Sequence, residues 1–397
     1  MAIELEKREL RSYEIRKHKQ KQREIIITII IVFIAIGLVA FVVNQILHKN
    51  YMSYQVIHTV ERSDSSSASY QNYGTGVLKY SRDGAVELDV AGNPLWNGTF
   101  EMKDPILDIC DRYVAVSDRG YKEVQIFNGK GGMSTVSVLN PIMKTEVANQ
   151  GVVAVLMDGK AVNYIGLYDE TGKSLVDIRT TTQKDGYPID ISLSNDGRKL
   201  VTSYAAVING AIQNKITFYN FGGVGQNYVA RVVGGYDYGQ TLVPKIEFID
   251  NNTVCAFGDD KFSIYSMKEI PELVYEKTFK SEIKSVFYSN KLIGFVLNNT
   301  EGDDKYRILL YDLKGKEVLN KTMNYDYDHV TLSGDELILY SDLEWIIFKS
   351  NGVEKLHYNF ENNISFILPV NNKDKYIIID NLNMEEVKLV EKKDVQK

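Results

Sequence analysis

GVLKYSRDGAVELDVAGNPLW, residues 76–96, is a strand, an Asp-Gly turn, a second strand, a Gly turn and the start of a third strand that carries Trp96. Asp and Gly suit tight turns, and the β-branched and aromatic residues between them suit strands. The second half of this stretch recurs: a strand ending on a hydrophobic residue, a short polar turn usually with Gly, then another strand. Copies start at Leu88, Phe127, Tyr168, Tyr219, Tyr265, Tyr311 and Phe348, at spacings of 39, 41, 51, 46, 46 and 37 residues. Apolar strands open the units, as in PILDI (105–109), YPIDISLS (187–194), VPKIEFI (243–249), IKSVFYS (283–289), HVTLS (329–333) and ISFILPV (364–370). A second strand follows, such as YVAVSD or KLVTSY. Proline is rare and no helical period is sustained. Four short strands every ~40–45 residues mark a β-propeller blade. One blade cannot bury both faces of its sheet, whereas a ring of blades can.

An eighth third-strand candidate, EEVKLVE (385–391), ends the pattern without a fourth strand. YQVIHTVER (54–62) supplies that strand and closes the ring. The expectation is an all-β, eight-bladed β-propeller over residues 77–391. Seven blades is the alternative, because no inner strand is evident for the first blade. A pair of β-sandwiches does not explain the recurrence.

Upstream lies IIITIIIVFIAIGLVAFVV, residues 25–43, without charge or proline. As a helix at ~1.5 Å per residue it matches the ~30 Å hydrocarbon thickness of a bilayer. The expectation is one transmembrane helix within residues 25–47, with the bilayer as its partner. Residues 1–24 carry eight Lys/Arg against five Glu, a net of +3, including Arg16, Lys17, Lys19, Lys21 and Arg23. Positive flanks stay cytoplasmic. The rest of the chain carries −6 minus +3, or −9. The reading is a single-pass plasma-membrane protein with a cytoplasmic tail and an extracytoplasmic C-terminal domain. A cleaved signal peptide fits less well, since the apolar run is too long and no small-residue cleavage site follows. SDSSSASYQNYGTG (63–76) has linker composition, so residues 48–76 read as a linker containing the ring-closing strand, and 392–397 as a tail.

The acidic balance argues against nucleic acid as a partner. Cys110 and Cys255 fall in different, non-adjacent blades and read as buried free thiols, with a disulfide as the alternative. Among the five histidines, His329 and His357 alone lie in the ring, without metal-ligand spacing. No G-x-S-x-G, H-E-x-x-H or P-loop occurs. No catalytic residue, cofactor or metal ligand is assigned.

In an up-and-down blade the second-to-third turns and the blade-to-blade links share one face. The turns SRDG, SDRG, MDGK, FGDDK, NNTEGDDK and SDLE place Asp83, Asp118, Asp158, Asp259, Asp260, Glu301, Asp303, Asp304 and Asp342 there. Ordinary turn chemistry accounts for these acids. The sharper alternative is an acidic face for a basic partner or Ca²⁺. Blade 4 is enlarged at AAVINGAIQN (205–214) and GGYDYGQ (234–240), near Tyr228, Arg231, Tyr236 and Tyr238. Tyr and Arg are frequent interface anchors, so these four, with Asp259, Asp260, Asp303 and Asp304, are the partner-binding candidates.

Residues 76–96 are similar to blades of quinoprotein-alcohol-dehydrogenase-like propellers, and ISLSNDGRKLVTSY (191–204) resembles the S-x-DG-x-x-L turn of WD40-like families. Across 25–391, the apolar helix, LKYSRDG, PLWN, QGVVAVL, GYPIDISLSNDG, SYAAVINGA and ITFYNF resemble an uncharacterised family of Gram-positive bacterial proteins. Those proteins carry one N-terminal membrane helix and an outer propeller. The resemblance implies the fold and no cofactor, since quinone enzymes repeat a docking Trp across blades and this chain has only Trp96 and Trp345. Non-enzymatic relatives of that fold act as envelope assembly scaffolds. The expected function is therefore a non-catalytic protein-interaction scaffold or sensor module of the cell envelope. An envelope enzyme, or a small-ligand or Ca²⁺ site in the central channel, is the alternative.

Overall fold

The computed structural model describes residues 29, 31–39, 49–62, 68–160, 162–370 and 374–391. The chain divides into two compact units, Met1–Asn50 and Tyr51–Lys397. In the first, Ile29 and residues 31–39 are helical with exposed apolar side chains. No helix among the described residues is long and apolar enough to cross a membrane. The rest of the expected span, and Arg16, Lys17, Lys19, Lys21 and Arg23, lie outside the described residues.

The second unit is an eight-bladed β-propeller built of eight four-stranded antiparallel sheets. Blades 1 to 7 span 69–99, 105–137, 142–181, 187–239, 245–278, 283–323 and 329–359. Blade 8 takes three strands from 364–391 and its outer strand from Tyr51–Glu61, which pairs antiparallel with Asn383–Glu391. The count is eight rather than seven, and the closing strand is the one the sequence offers. First strands of neighbouring blades approach one another around the axis, so they are the inner strands. The second-to-third turns and blade-to-blade links form one rim, termed upper here. The first-to-second and third-to-fourth turns form the lower rim, where the chain enters the ring at Tyr51.

The inner strand absent from the sequence reading is Ser69–Tyr73, inside the segment read as linker. Only Tyr70 and Tyr73 of its five residues are buried, so its apolar pattern is too sparse to stand out. Tyr70 packs on Phe366 of blade 8 at 5.4 Å, and Tyr73 meets Trp96 edge-on at 6.0 Å. Two rings thus do the work of a continuous apolar run.

The repeated Gly turn has a packing cause. Asp89, Asn128, Asp169 and Asp312 each accept N–H groups two and four residues on, which fixes the third-to-fourth turn. The glycine three residues on then lies against the outer strand of the preceding blade. At Gly131, φ is +76° and a Cβ would stand 2.6 Å from Trp96 Cβ; at Gly315, φ is +82° and a Cβ would stand 2.1 Å from Tyr275 Cγ. Both the left-handed backbone and the contact exclude a side chain.

Ring closure adds a buried polar lock. Lys355 of blade 7, 2% exposed, donates to Glu336 Oε1 at 2.6 Å and lies 3.6 Å from Asp374 Oδ1. Tyr51 of the closing strand donates its hydroxyl to Asp374 at 2.7 Å, and Tyr376 donates to Glu336. The closing strand also sets Tyr54 among Trp345, Tyr358 and Phe360. Removing one partner of such a pair leaves a buried charge uncompensated. Lys355→Met is expected to cost about 3–5 kcal/mol in urea unfolding. Hydrogen exchange in the variant should rise first in Tyr51–Glu61; unchanged protection there would refute the assignment of the lock to ring closure.

Candidate functional site

Blade 4 departs from regular blade geometry at its upper edge. Its second and third strands, Lys199–Ile208 and Ala211–Asn220, outrun their neighbours and form a hairpin standing off the upper rim. The inner strand pairs only as far as Ala205, opposite Tyr187, and the outer strand only as far as Asn214, opposite Gly239. Residues 206–213 therefore pair only with each other. Asn209 and Gly210 turn the hairpin with φ of +53° and +80°, the pattern of a two-residue type I′ turn. Across it, Val207 faces Ile212 and Ile208 faces Ala211. Val207, Ile208 and Ile212 are 75%, 54% and 51% exposed. The tip is thus apolar on both faces, without a charge between Ala205 and Asn214.

Beside it lies a cleft of about 1020 Å³, bounded by the hairpin, by residues 182–187, and by Asp237, Gly239 and Leu242. Lys215 Nζ sits 5.7 Å over the Tyr204 ring in its wall. Asn214 also lines it; its amide donates to Ser203 Oγ, while its carbonyl oxygen is buried without a partner among the described residues.

The predicted anchors do not gather here. The strand Val232–Gly239 crosses the blade from lower rim to upper, so Tyr228 and Arg231, which precede it, sit at the opposite rim from Tyr238. Tyr238 is buried, hydroxyl to hydroxyl with Tyr265 at 2.8 Å and under Lys261 Nζ. Tyr236 packs on Tyr265 and Phe218 and donates to the Pro271 carbonyl. Two residues apart on a strand, they share one face, and that face meets blade 5. Tyr238 belongs to the core and the half-buried Tyr236 packs against it, so both are turned to blade 5 and do not stand out as free surface anchors.

Several of the acids brace turns. Asp118 is buried and accepts the N–H groups of Lys103 and Asp104. Asp259 accepts Leu242 N–H, Asp260 accepts the Thr241 hydroxyl, and Asp158 accepts Lys160 N–H. Glu301 pairs with Arg307 at 2.7 Å. Asp83, Asp303 and Asp342 are exposed and Asp304 half-buried. No group of three or more His, Cys, Asp or Glu among the described residues is arranged to hold a metal ion. Cys110 and Cys255 are free thiols, and burial pushes Cys110 up to about 12.

A second cluster escaped the sequence reading. Inner strands of blades 2, 3, 5 and 6 bring Asp108, Lys144, Glu146, Lys245, Glu247 and Tyr288 together on one side of the channel, with Arg119 from the rim of blade 2, around a cavity of about 480 Å³; Asp190 of blade 4 joins them through Lys144. The other side, lined by Gln71, Thr331, Tyr340 and Phe366 among others, carries no Asp, Glu, Lys or Arg in its lining. Lys144 Nζ reaches Asp190 at 2.5 Å and Glu146 at 2.9 Å, and Lys245 reaches Glu247 at 3.2 Å. Asp190 also accepts Ile246 N–H, and Asp108 accepts Val147 N–H. Burial disfavours the Lys144 ammonium, but Glu146 and Asp190 outweigh it and hold the group above its usual range. Burial pushes Asp108 up to about 6, and raises Glu146 well above the usual carboxylate range. The signal in the sequence is an acid between two apolar neighbours in the inner strand, LDI, IDI and IEF, with TEV as the variant that has Thr on one side.

A family model described as Family of unknown function (DUF5711) matches residues 47–389. No curated protein matches the chain. Among solved structures, it is similar to Sqt1 of Saccharomyces cerevisiae at 11% identity and TM-score 0.56, covering 85% of this chain and 100% of that one. It is similar to BamB of Moraxella catarrhalis at 11% identity and TM-score 0.50, over 85% and 98%. Apo AztD of Citrobacter koseri matches at 10% identity and TM-score 0.50, over 75% and 86%. At such identities the likeness carries the fold and nothing further.

The channel acids set a pH dependence. Unfolded, Asp108 and Glu146 lose their protons near pH 4; folded, Asp108 keeps its proton to about 6 and burial raises Glu146 well above its usual range. The folded state therefore binds more protons over this window, and their contribution to stability falls as pH rises through it. Asp108→Asn removes part of that slope and keeps an acceptor for Val147 N–H. Its Tm relative to the parent is expected to rise steadily from pH 4 to 7 in thermal melts; parallel curves would refute the linkage.

Proposed function

The chain belongs to the DUF5711 family, a family of unknown function, and we propose that it works as a membrane-anchored, extracytoplasmic scaffold or sensor propeller of the cell envelope. It binds a protein partner through the upper rim of blade 4 and performs no chemistry of its own. The observation that carries this reading is the hairpin. Three exposed aliphatic side chains on a two-stranded projection cost solubility and support no blade contact, and such patches accompany interaction surfaces. The anchor rests on the uncharged run Ile25–Val43 behind a basic flank.

A photo-cross-linking residue at position 207 in cells should give a defined protein adduct, and the same residue at the lower-rim position 130 should not. Replacing residues 206–213 by Asn-Gly should abolish capture of that protein and leave the melting curve within a few degrees. Equal adducts from both positions would sink the rim as the binding surface. Protease added to intact cells should remove the propeller; a protected propeller would sink the extracytoplasmic placement.

The channel supports a second reading, a small-ligand site. Three carboxylates, Asp108, Glu146 and Glu247, and three bases, Arg119, Lys144 and Lys245, around one cavity is more charge than packing needs, since buried ions are costly to desolvate. Asp190→Asn would then alter ligand-induced thermal stabilisation in a metabolite screen while the position-207 adduct persists.

A further inference from the structure

The upper rim also indicates which chemistry its partner presents. Next to the neutral hairpin, the turns of blades 5 to 7 carry Asp259, Asp260, Asp303, Asp328 and Asp342. Of the bases on the same arc, Lys261 is engaged by Glu276 at 3.3 Å, Lys284 by Glu282 at 3.0 Å and Lys305 by Asp326 at 2.7 Å, which leaves the five acids against the exposed Lys277 and Lys280. The arc therefore presents a net negative field beside an apolar projection. A second copy of this chain, itself at −6 overall, would bring like charge onto like. An anionic bilayer surface would be repelled for the same reason. The apolar contact is also small, three side chains against the ~800 Å² per partner of a stable standard interface. A partner that binds here draws much of its attraction from charge.

We propose that the rim accepts a basic polypeptide segment, one that seats an apolar side chain in the cleft beside the hairpin and lays Lys or Arg along the acidic arc of blades 5 to 7. This rests on the upper rim being the partner surface. The hairpin supplies position and the arc supplies steering, so affinity falls with salt as exposed charges are screened.

The test uses the full chain and three fluorescein-labelled twelve-residue peptides, alternating Lys/Val, Glu/Val and Lys/Ser, read by anisotropy. The Lys/Val peptide is expected to bind best, and to lose about tenfold in affinity between 50 and 300 mM salt. The triple variant Val207→Ser, Ile208→Ser, Ile212→Ser should bring Lys/Val binding down to that of Lys/Ser. Asp303→Asn, Asp328→Asn, Asp342→Asn should flatten the salt dependence. Equal binding of the Glu/Val peptide, or Lys/Val binding that survives both triple variants, overturns the proposal. So does a hairpin-dependent dimer in sedimentation, or hairpin-dependent flotation with phosphatidylglycerol vesicles. If the position-207 adduct persists while the peptides fail to discriminate, the rim reading stands and the basic class falls. If the adduct is absent too, both fall.

Discussion

Each blade is a sheet with two apolar faces, and neither is stable in water alone. The contact that resolves this is between the third-to-fourth turn of one blade and the outer strand of the blade before it. An Asx-capped turn puts a glycine where no Cβ fits, and the preceding blade's side chain closes over it. In blade 2 that side chain is Trp96 and in blade 6 it is Tyr275. In blade 7 it is Leu319, against Gly352. The seat takes an aromatic group in some blades and an aliphatic one in others. The geometry of the turn, more than the identity of the ring, holds the wheel.

That division explains what could be read without coordinates. Glycine turns at a near-constant period and apolar inner strands declare the fold, because both are local in sequence. The ring-closing strand was legible too, as the fourth strand missing from the last unit. Ser69–Tyr73 was not, since its burial rests on two tyrosines with polar residues between them. Tyr236 and Tyr238 were misplaced for a different reason. Their count near an enlarged loop says nothing about direction, while their spacing of two on a strand does, and it points both at blade 5.

The channel and the rim differ in how they are encoded. Asp108, Glu146, Asp190 and Glu247 lie 38 to 57 residues apart in succession and become neighbours only once the blades close around an axis. No local pattern announces that. The hairpin of blade 4, by contrast, is a contiguous AAVINGAI with an Asn-Gly turn at its centre, a strong short-range signal. Its exposure, not its existence, needed the register of the flanking strands.

Closing the ring with the first strand also orders events in time. At ~5–20 residues per second, the ribosome takes tens of seconds to pass from Glu61 to Asn383. Through that interval an eleven-residue strand bearing Tyr51 and Tyr54 waits with both edges open, while seven blades have everything they need. A long unpaired edge is a template for wrong pairing. Closure of the ring therefore waits on Asn383–Glu391, and truncation that removes this strand takes away the pairing partner of Tyr51–Glu61.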